Sequence, residues 1–506
     1  PSIPRTTRRS RVAHKTTSSL AAEARARLDA LAGRTHLSTA QRREIPVQEM
    51  PHQPPCERVR NMSEVALGYT PEQARLEALR CLECKNAPCI AGCPVGVNIP
   101  GFIGAIAHGD LQRALEVVKE SNLLPAICGR VCPQETQCQA RCVVGKMHKN
   151  PNRAVSIGRL ERFVADFGRQ QHWAAAPEIK PATGKKVGIV GSGPASLTAA
   201  ADLRRAGHAV TIFEAFHKPG GVMIYGIPEF RLPKRIVDAE VEALIRIGVE
   251  IRTNFVVGRT RTMAQLLDED GYDAIFIGTG AGLPKFMHVE GESLVGVYSA
   301  NEYLTRVNLM RAYDAQHAGT PILRPRRVAV FGGGNVAMDS ARSALRLGAE
   351  QVHLIYRRTE VEMPARLEEI QHAKEEGVQF HFLENAKRIL GDEADRVIGV
   401  ELLRYRLGEP DSSGRASPVA IDGSEFTLDV DGVIVAIGND SNPLLVQATP
   451  GLKADKYGRI QVDQDLRTSL DRVYAGGDIV QGAATVIIAM GQGRRAARSI
   501  NALLAG

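Results

Sequence analysis

The sequence lacks any apolar stretch long enough to cross a membrane. Its longest apolar runs, such as Val433–Ile437, have the length of a β-strand, whereas a membrane helix needs about 18 apolar residues or more. The first 22 residues are rich in Arg, Ser and Thr and contain no acid, but they lack the apolar core of a secretory signal. We therefore exclude a membrane-spanning protein. With 506 residues, the chain has the length of about three domains.

Most of the chain also lacks an excess of either charge. Residues 1–45 hold ten Lys/Arg and three Asp/Glu, whereas the other 461 residues hold 54 and 53. The net charge of +8 therefore comes almost entirely from the N-terminal tail and does not indicate a nucleic-acid-binding body. We expect residues 1–45 to form a basic flexible arm, with one helix at Ala21–Ala32, and we expect neither a nucleic-acid nor a membrane partner.

Cysteine is absent after residue 142. Eight of the nine cysteines form two groups, which are Cys81, Cys84, Cys89 and Cys93, and then Cys128, Cys132, Cys138 and Cys142. A disulfide framework is typical of a short secreted chain, but here a long body without cysteine follows. This distribution favours metal ligation in a reducing compartment, and we expect a cytoplasmic protein. Cys56, the ninth, is expected to be a buried or tolerated thiol.

The spacing of the two groups favours iron–sulfur clusters. Structural zinc usually uses two separate Cys-x2–4-Cys pairs, whereas four cysteines in a row at mixed spacing, with Pro after one of them, are typical of bacterial ferredoxins. Eight thiols can hold two [4Fe–4S] clusters, and neighbouring clusters often exchange a ligand. Zinc, or thiols with a structural or redox role, are the alternatives.

Residues 46–175 predict a helical domain without strands. A capping-box pattern begins its first helix, because Thr70 can cap and Gln73 lies three residues later. The predicted helices are Pro71–Arg80, Ile99–His108, Leu111–Glu120 and Val155–Phe167. After a linker at residues 172–184, a strand–glycine–helix–strand pattern occurs twice. It comprises Lys186–Val190, Pro194–Ala206 and Ala209–Phe213, and then Arg327–Phe331, Val336–Leu347 and Gln351–Tyr356. The repeat predicts two Rossmann-like dinucleotide-binding domains.

The first α/β unit predicts an FAD site. Gly191 and Gly193 lie between a strand and a helix, where backbone N–H groups can meet a pyrophosphate. Glu214 ends the next strand, where a carboxylate accepts hydrogen bonds from ribose hydroxyls. Ser196 replaces the third glycine, and we expect it to fit with slight widening of the helix–strand contact. Glycine-rich segments further along the chain also suit a flavin. The candidate FAD-binding residues are Gly191, Gly193, Pro194, Ala195, Glu214, Lys218, Gly221, Gly280, Gly477 and Asp478.

The second α/β unit predicts an NADP(H) site. Its strand ends in Arg357-Arg358 where the first unit has Glu214. Arginines bind a 2′-phosphate bidentately, whereas an acid there would repel it. NAD(H) binding and a solvated arginine pair are the alternatives. The candidate residues are Gly332, Gly334, Asn335, Val336, Ala337, Arg357 and Arg358.

Together these motifs resemble a known family. They are Cys81–Pro94, Ile127–Glu135, Val190–Ala195, Gly220–Pro228, Gly332–Asp339 and Ala475–Ile479. Over about residues 60–506 the chain is similar to the small subunit of NADPH-dependent glutamate synthase. It is similar also to the large subunit of the electron-bifurcating NADH-dependent ferredoxin–NADP oxidoreductase and to the N-terminal half of dihydropyrimidine dehydrogenase.

The resemblance implies an α-helical iron–sulfur domain with two [4Fe–4S] clusters at residues 46–175. It also implies a discontinuous FAD domain at residues 184–285 and 438–506, around an NADPH domain at residues 286–437. Thr485 and Val486 match the segment that packs by the flavin ring. In some relatives a Glu or Gln replaces one cysteine ligand, and Glu135 and Glu161 are the candidates here.

The expected function is that of an NADPH-oxidising subunit that passes electrons through FAD and the clusters to a partner. We expect no side chain to act as acid or base, because the hard chemistry belongs to the cofactors. We expect neither a glutaminase nucleophile nor an FMN barrel in this chain. A larger FMN-containing subunit would complete glutamate synthase, whereas a small flavoprotein or ferredoxin partner would give ferredoxin-linked transhydrogenation. A zinc-stabilised nucleotide-binding protein without redox activity is the remote alternative.

Overall fold

The computed structural model describes residues 15–34, 36–173, 177–411 and 414–505. In this part of the chain, a helical N-terminal region is followed by two α/β units and a small antiparallel sheet. None of its helices is long and apolar enough to cross a membrane.

The N-terminal region contains helices and turns but no strand within the described residues before Lys186. Thr70 and Gln73 form the predicted capping box, because each side chain accepts a hydrogen bond from the other's backbone N–H. The helices are α1 (Thr17–Leu31), α2 (Thr39–Glu44), α3 (Pro55–Arg58), α4 (Pro71–Ala78), α5 (Pro88–Ala91), α6 (Ile99–His108), α7 (Leu111–Ser121), α8 (Pro125–Val131), α9 (Val143–Met147) and α10 (Ile157–Gln170).

Residues 15–34 and 36–45 do not form a flexible arm. Helix α1 packs against α4, and Ala24, Leu37 and Ile45 are buried in one apolar cluster with Leu76 of α4. Burial of this apolar surface stabilises the packing of the segment against the helical region. The prediction of a flexible arm is therefore wrong for residues 15–34 and 36–45, whereas residues 1–14 and residue 35 lie outside the described residues.

The rest of the chain alternates strands and helices. Its first part contains β1 (Lys186–Val190), α11 (Pro194–Arg205), β2 (Ala209–Phe213), α12 (Val222–Tyr225), α13 (Lys234–Arg246), β3 (Glu250–Arg252), β4 (Ala274–Ile277), β5 (Leu283–Pro284), β6 (Val297–Ser299) and α14 (Ala300–Asn308). Its second part contains β7 (Arg327–Phe331), α15 (Asn335–Arg346), β8 (Gln351–Tyr356), α16 (Leu367–Glu375), β9 (Gln379–Phe382), β10 (Glu384–Gly391), β11 (Val397–Pro410), β12 (Ala416–Ala420), β13 (Phe426–Leu428) and β14 (Gly432–Val435). Its C-terminal part contains β15 (Asn439–Asp440), α17 (Leu444–Gln447), β16 (Val473–Ala475), α18 (Asp478–Gln481) and α19 (Val486–Ala505).

The first parallel sheet combines strands from two distant parts of the chain. Its order is β16-β4-β1-β2-β3, and Tyr474 of β16 lies beside Phe276 of β4 in parallel register. Helix α19 then packs closely on α11, because a Cβ on Gly493 would lie only 2.1 Å from the carbonyl oxygen of Ala195. The C-terminal segment is thus an integral part of the first α/β unit.

The second parallel sheet has the order β6-β14-β7-β8-β9. The strands predicted as Arg327–Phe331 and Gln351–Tyr356 have these bounds in β7 and β8. An antiparallel sheet follows, in which β11 pairs with β10, β12 and β13, and β5 and β15 form a separate two-stranded ribbon.

A buried ion-pair network joins the helical region to the second α/β unit. Arg58 of α3 donates to Glu375 and Glu376, each at 2.8 Å. Glu376 also accepts hydrogen bonds from Arg342 and Arg346 of α15. Because buried charges are stable only when they are paired, this network fixes how the two parts of the chain contact each other.

Candidate functional site: two thiol sets beside a dinucleotide cavity

The fold regroups the eight cysteines. Cys81, Cys84 and Cys89 line one small cavity together with Cys142, and we name these four thiol set A. Cys93 lies instead near the second sequence group. Burial raises the pKa of its thiol, and the charges of Glu161 and Cys132 raise it further.

We name the remaining four cysteines thiol set B, which comprises Cys93, Cys128, Cys132 and Cys138. Three of them are buried, whereas in set A only Cys142 is buried. A hydrogen bond with Cys128, together with burial, raises the pKa of the Cys132 thiol well above its usual value. One cysteine of each sequence group has thus changed sets, so that set A lies nearer the surface and set B lies deeper.

The donor chemistry of both sets fits iron–sulfur clusters. Burial raises the pKa of Cys81 to about 12 and that of Cys89 to about 11, so thiolates there need a cationic centre to offset the lost hydration. Within the described residues, no group of three or more His, Cys, Asp or Glu side chains has the geometry to bind a single metal ion. The four thiols of set A instead surround a cavity with apolar walls, and soft thiolates are the ligands that iron–sulfur clusters use.

Of the two glutamates considered as ligands, Glu161 lies by the thiols and Glu135 does not. Glu161 is buried, accepts a hydrogen bond from Asn122 Nδ2 at 2.6 Å, and has its pKa raised to about 7 by burial. Its charge also contributes to the raised pKa of each set B thiol. Glu135 instead accepts a hydrogen bond from the backbone N–H of Leu367, in the second α/β unit, at 3.3 Å.

A cavity of about 970 Å³ lies at the carboxyl ends of β1, β2, β4 and β16. This is where ligands bind in open α/β sheets, and the volume is at the upper end of the range of about 300–1,000 Å³ for ligand pockets. Lys218, in contrast, is exposed and does not line the cavity. The FAD candidates that line it are Gly191, Gly193, Pro194, Ala195, Glu214, Gly221, Gly280, Gly477, Asp478, Thr485 and Val486.

Two acids of this cavity have the chemistry that a dinucleotide requires. Glu214 is buried and accepts hydrogen bonds from Ser192 N at 3.0 Å, from the Ser192 hydroxyl, and from Phe216 N at 2.8 Å. Asp478 Oδ1 is buried and has no hydrogen-bond partner in the described residues. Burial raises the pKa of Asp478 to about 6. An orphaned carboxylate oxygen beside a cavity is suited to a hydroxyl donor of the ligand.

The backbone at the first fingerprint is open to a ligand. Gly191 has φ +91°, and a Cβ there would lie 2.7 Å from the Gly278 carbonyl oxygen. At Gly193, in contrast, a Cβ would have no neighbour closer than 3.9 Å, so this face of the backbone is bare. Ser196 fits because the residue that faces it after β4, Gly278, has no side chain. The Ser196 hydroxyl lies 3.5 Å from the carbonyl oxygen of Gly278.

The second fingerprint reaches the same cavity from the other unit. Asn335 and Val336 line it, whereas Gly332, Gly334 and Ala337 lie outside its lining. Gly332 needs to be glycine, because a Cβ would lie 2.3 Å from the Ala436 carbonyl oxygen. Asn335 Oδ1 accepts a hydrogen bond from Arg366 N at 3.0 Å, which fixes the turn that begins α15.

The two arginines after β8 have different surroundings. Arg357 is exposed. Arg358 is 5% exposed and donates to Asp411 at 2.5 Å and to the Ala416 carbonyl at 2.7 Å. Arg357 is therefore open to an incoming phosphate, whereas Arg358 already has partners on the antiparallel sheet.

Sequence reasoning missed the residues that connect set B to the cavity. Val131 and Pro133 line the cavity from the cysteine loop. Gln137 Nε2 donates to Thr485 Oγ1 at 3.4 Å, and Cys128 Sγ lies 3.7 Å from Met490 Sδ of α19. The sequence could have indicated Gln137, because it directly precedes Cys138. No local pattern indicates Met490, because its contact with Cys128 depends on the packing of α19.

Comparison with known proteins identifies the class. Residues 58–173 match the family described as dihydropyrimidine dehydrogenase domain II, 4Fe-4S cluster, and residues 185–493 match the family described as pyridine nucleotide-disulphide oxidoreductase. Mycobacterium tuberculosis FprA in complex with NADPH has the same fold with a TM-score of 0.51 and 22% identity, over 64% of this chain and 84% of that one. The protein is an NADPH-dependent oxidoreductase with an FAD/NADPH-binding domain and a 4Fe-4S domain.

Curated relatives narrow the family. The chain is 36% identical to the glutamate synthase (NADPH) small chain of Azospirillum brasilense, over 90% of this chain and 94% of that protein. It is 35% identical to the Escherichia coli small chain, over 86% and 93%. It is 41% identical to the NADP(+)-dependent formate dehydrogenase subunit beta of Moorella thermoacetica, over 83% of this chain but only 60% of that protein. The chain belongs to the glutamate synthase (NADPH) small-chain family, as the motifs indicated, and the alternative of a protein without redox activity is set aside.

Proposed function

We propose that this chain takes electrons from NADPH into FAD and sends them through two [4Fe–4S] clusters to a larger partner subunit. The observation that carries the proposal is the shared cavity. Gly191 of the first α/β unit, Asn335 of the second and Pro133 of the cysteine loop all line it. A dinucleotide cofactor, its reductant and its electron outlet would therefore meet at one place.

The first α/β unit would hold FAD. Gly191 and Gly193 offer their backbone to the pyrophosphate at the start of α11. Glu214 would accept from ribose hydroxyls, and Asp478 Oδ1, which has no partner in the described residues, would accept from a ribityl hydroxyl. Thr485 and Val486 line the cavity at the start of α19, toward set B.

The second α/β unit would hold NADPH. The turn at Gly332–Ala337 would meet its pyrophosphate, and Arg357, which is exposed after β8, would bind the 2′-phosphate. Arg358 would contribute if the ligand replaced Asp411 as its partner. When bound, FAD accepts a hydride from NADPH and the clusters carry electrons singly. The chain's own residues position and desolvate these groups, and none is assigned as acid or base.

We assign one cluster to each thiol set. Set A supplies Cys81, Cys84, Cys89 and Cys142. Set B offers five donors for four positions, because Glu161 lies beside its four cysteines. The contacts of Gln137 and Cys128 with α19 place set B next to the cavity, so set B would receive electrons first and set A second.

The partner is inferred from relatives. Two glutamate synthase small chains are similar to this chain over nearly their whole length. With a large FMN-containing subunit the overall reaction would convert glutamine and 2-oxoglutarate to glutamate. A second candidate is the NADPH-binding subunit of a ferredoxin-linked enzyme. The 41% identity to a subunit beta of an NADP(+)-dependent formate dehydrogenase supports a partner other than the large glutamate synthase subunit.

The proposal is tested by anaerobic titration with NADPH. We expect the purified protein to contain FAD and about eight irons, and we expect the flavin absorbance to bleach before an electron paramagnetic resonance signal of reduced clusters appears. In Cys138→Ser, which alters set B, bleaching should persist while reduction of the set A cluster slows. Zinc without iron, or a flavin that NADPH does not reduce, would overturn the proposal. Addition of a large glutamate synthase subunit would then decide between the two partners.

A further inference from the structure

The two chain segments that contain Cys84, Cys89 and Cys142 of thiol set A carry positive charge and no acid. Residues 136–160, which include Cys142, contain no acid, and residues 84–109, which include Cys84 and Cys89, contain Lys85 and no acid. We name four exposed cations of these two segments the basic ring, which comprises Lys85, Arg141, Lys146 and Lys149.

Three cations of the basic ring lie close in the chain to thiols of set A. Lys85 directly follows Cys84, and Arg141 directly precedes Cys142, while both of these cysteines line the same cavity. Lys146 lies one helical turn beyond Cys142, in α9. The half-exposed side chain of Met147 adds an apolar contact beside Lys146.

These charges are not offset by nearby acids. Glu83, the acid next to Cys84 in the chain, is bound to Arg42 at 3.1 Å. Within the described residues, neither Lys85 nor Lys146 forms an ion pair. The local field is also positive at His148, whose pKa is lowered by burial and then by Arg153 and Arg43.

A cation that lies between two set B cysteines in the chain contrasts with this surface. Arg130 lies two residues from Cys128 and Cys132, and it donates to Glu64 at 2.6 Å and to Asp166 at 2.7 Å. Its charge is thus neutralised within the chain. Exposed cations without internal partners are therefore found over set A, where the thiols approach solvent, and not at Arg130.

We propose that the basic ring is the docking surface for an acidic face of an electron-transferring protein, which exchanges electrons with this chain through set A. The inference rests on the proposed function, because it requires a cluster in set A. Complementary charge steers such partners and can raise association rates by about 10- to 1,000-fold, in a way that salt suppresses. Exposed lysines are poorly placed to stabilise a buried cluster, because water screens them.

The test uses the holoenzyme with oxidised clusters and a pre-reduced acidic [2Fe–2S] ferredoxin as probe. Each ferredoxin gives up one electron, and two of them reduce one NADP⁺, with uptake of one proton, to NADPH. In the double variant Lys85→Glu, Lys146→Glu, we expect the second-order rate of ferredoxin oxidation to fall at least tenfold at low salt. The difference should disappear at about 0.5 M salt, because the Debye length is then only a few ångströms.

Two further acceptors and a matched variant make the outcome specific. With NADPH as reductant, cytochrome c, a basic protein, should be reduced faster by the double variant, whereas an uncharged benzoquinone should react at an unchanged rate. Lys453→Glu reverses an exposed lysine of the first α/β unit and should change none of these rates. Iron content and NADPH-dependent flavin bleaching should match wild type in both variants.

The failures are distinguishable. Equal slowing with ferredoxin and benzoquinone, or loss of iron, would show that the basic ring supports the cluster and not a partner. An unchanged ferredoxin rate would likewise overturn the docking surface. If NADPH reduced no cluster in the wild-type protein, the proposed function itself would be wrong.

Discussion

The guanidinium of Arg231, in the first α/β unit, donates to both carboxylate oxygens of Asp339 in α15 of the second, at 2.8 and 2.6 Å. The Asp339 carboxyl is buried, and Arg231 also lies 3.2 Å from Glu369. Arg231 and Asp339 both line the shared cavity. This contact holds helix α15 of the second unit against the first unit.

Arg231→Met should destabilise the protein and slow flavin reduction. The change leaves Asp339 without the guanidinium, and breaking one partner of a buried ion pair costs about 3–5 kcal/mol. We expect a lower unfolding temperature and a slower NADPH-dependent bleaching of the flavin in stopped-flow measurements. Arg235→Met, at an exposed position of α13, is the control and should leave both unchanged. An unaltered unfolding temperature in Arg231→Met would show that the contact is dispensable.

Asp478→Asn should weaken FAD binding and remove its pH dependence. Burial raises the pKa of this carboxyl to about 6 in the flavin-free protein, and a hydroxyl donor favours the ionised form. In wild type the affinity for FAD should therefore fall as the pH drops below about 6, because a proton must be released on binding. The raised pKa also means that the carboxyl's own contribution to stability declines as the pH rises from about 4 to 6.

Flavin fluorescence titrations between pH 5 and 8 measure this effect. The Asn variant should bind FAD more weakly than wild type at pH 8, with a nearly flat profile. A variant with wild-type affinity at every pH would exclude a contact between Asp478 and the flavin.

Arg357→Ser should weaken NADPH more than NADH. A charge-assisted hydrogen bond contributes about 1.5–3 kcal/mol, and 1.4 kcal/mol corresponds to tenfold in affinity. We therefore expect the apparent Michaelis constant for NADPH to rise about ten- to a hundredfold, with little change for NADH, which lacks the 2′-phosphate. Arg358→Ser tests whether the second arginine also binds the 2′-phosphate, because Arg358 already donates to Asp411. If the Michaelis constants for NADPH and NADH changed equally and little in the double variant Arg357→Ser, Arg358→Ser, the two arginines would be a solvated pair that does not select NADP.

Variants of the cysteines other than Cys128 should fall into two classes that follow the folded sets. Cys89→Ser and Cys142→Ser should damage the same cluster, although these residues belong to different groups in the sequence. Cys93→Ser should instead resemble Cys138→Ser. Electron paramagnetic resonance of the reduced proteins, with iron analysis, separates the classes, and Cys56→Ser is the control. Grouping by sequence neighbours would contradict the exchange of Cys93 and Cys142 between the sets.

Cys84→Ser should damage the set A cluster and one-electron output while NADPH still bleaches the flavin. None of the set A cysteines lines the 970 Å³ cavity, whereas Val131 and Pro133, from the segment of the second cysteine group, do. Loss of flavin reduction in a folded, FAD-containing variant would show that the order of carriers is wrong.

Glu161→Ala and Cys128→Ser should differ in iron content. Glu161 has a single donor, Asn122, for a buried carboxylate, which leaves it in need of a cation. Cys128 Sγ already contacts Asn122 Oδ1 at 3.6 Å and Met490 Sδ at 3.7 Å. We expect Glu161→Ala to lose the set B cluster and Cys128→Ser to retain it. The reverse result would identify Cys128 as the fourth ligand.

Local signals in the sequence determined much of this protein. The strands Lys186–Val190 and Ala209–Phe213 have the predicted bounds because each is a short apolar run that begins soon after a glycine. The capping box at Thr70 is likewise a matter of four consecutive residues. The two fingerprints and the grouped thiols identified the class of protein for the same reason: each motif carries its chemistry within a short segment.

The tertiary structure decided what depends on residues far apart in the chain. Glu161 reaches set B because α8 and α10 pack together. Cys142 joins set A because the fold brings it to the cavity that Cys81, Cys84 and Cys89 line. The partner of Arg358 is Asp411, on the antiparallel sheet. The sequence predicted a basic arm at residues 1–45, because the burial of Leu37 and Ile45 depends on the distant residue Leu76. Short motifs fix backbone geometry and ligand type locally, whereas the sharing of thiols, the choice of carboxylate and the pairing of buried charges follow from long-range packing, which no local pattern encodes.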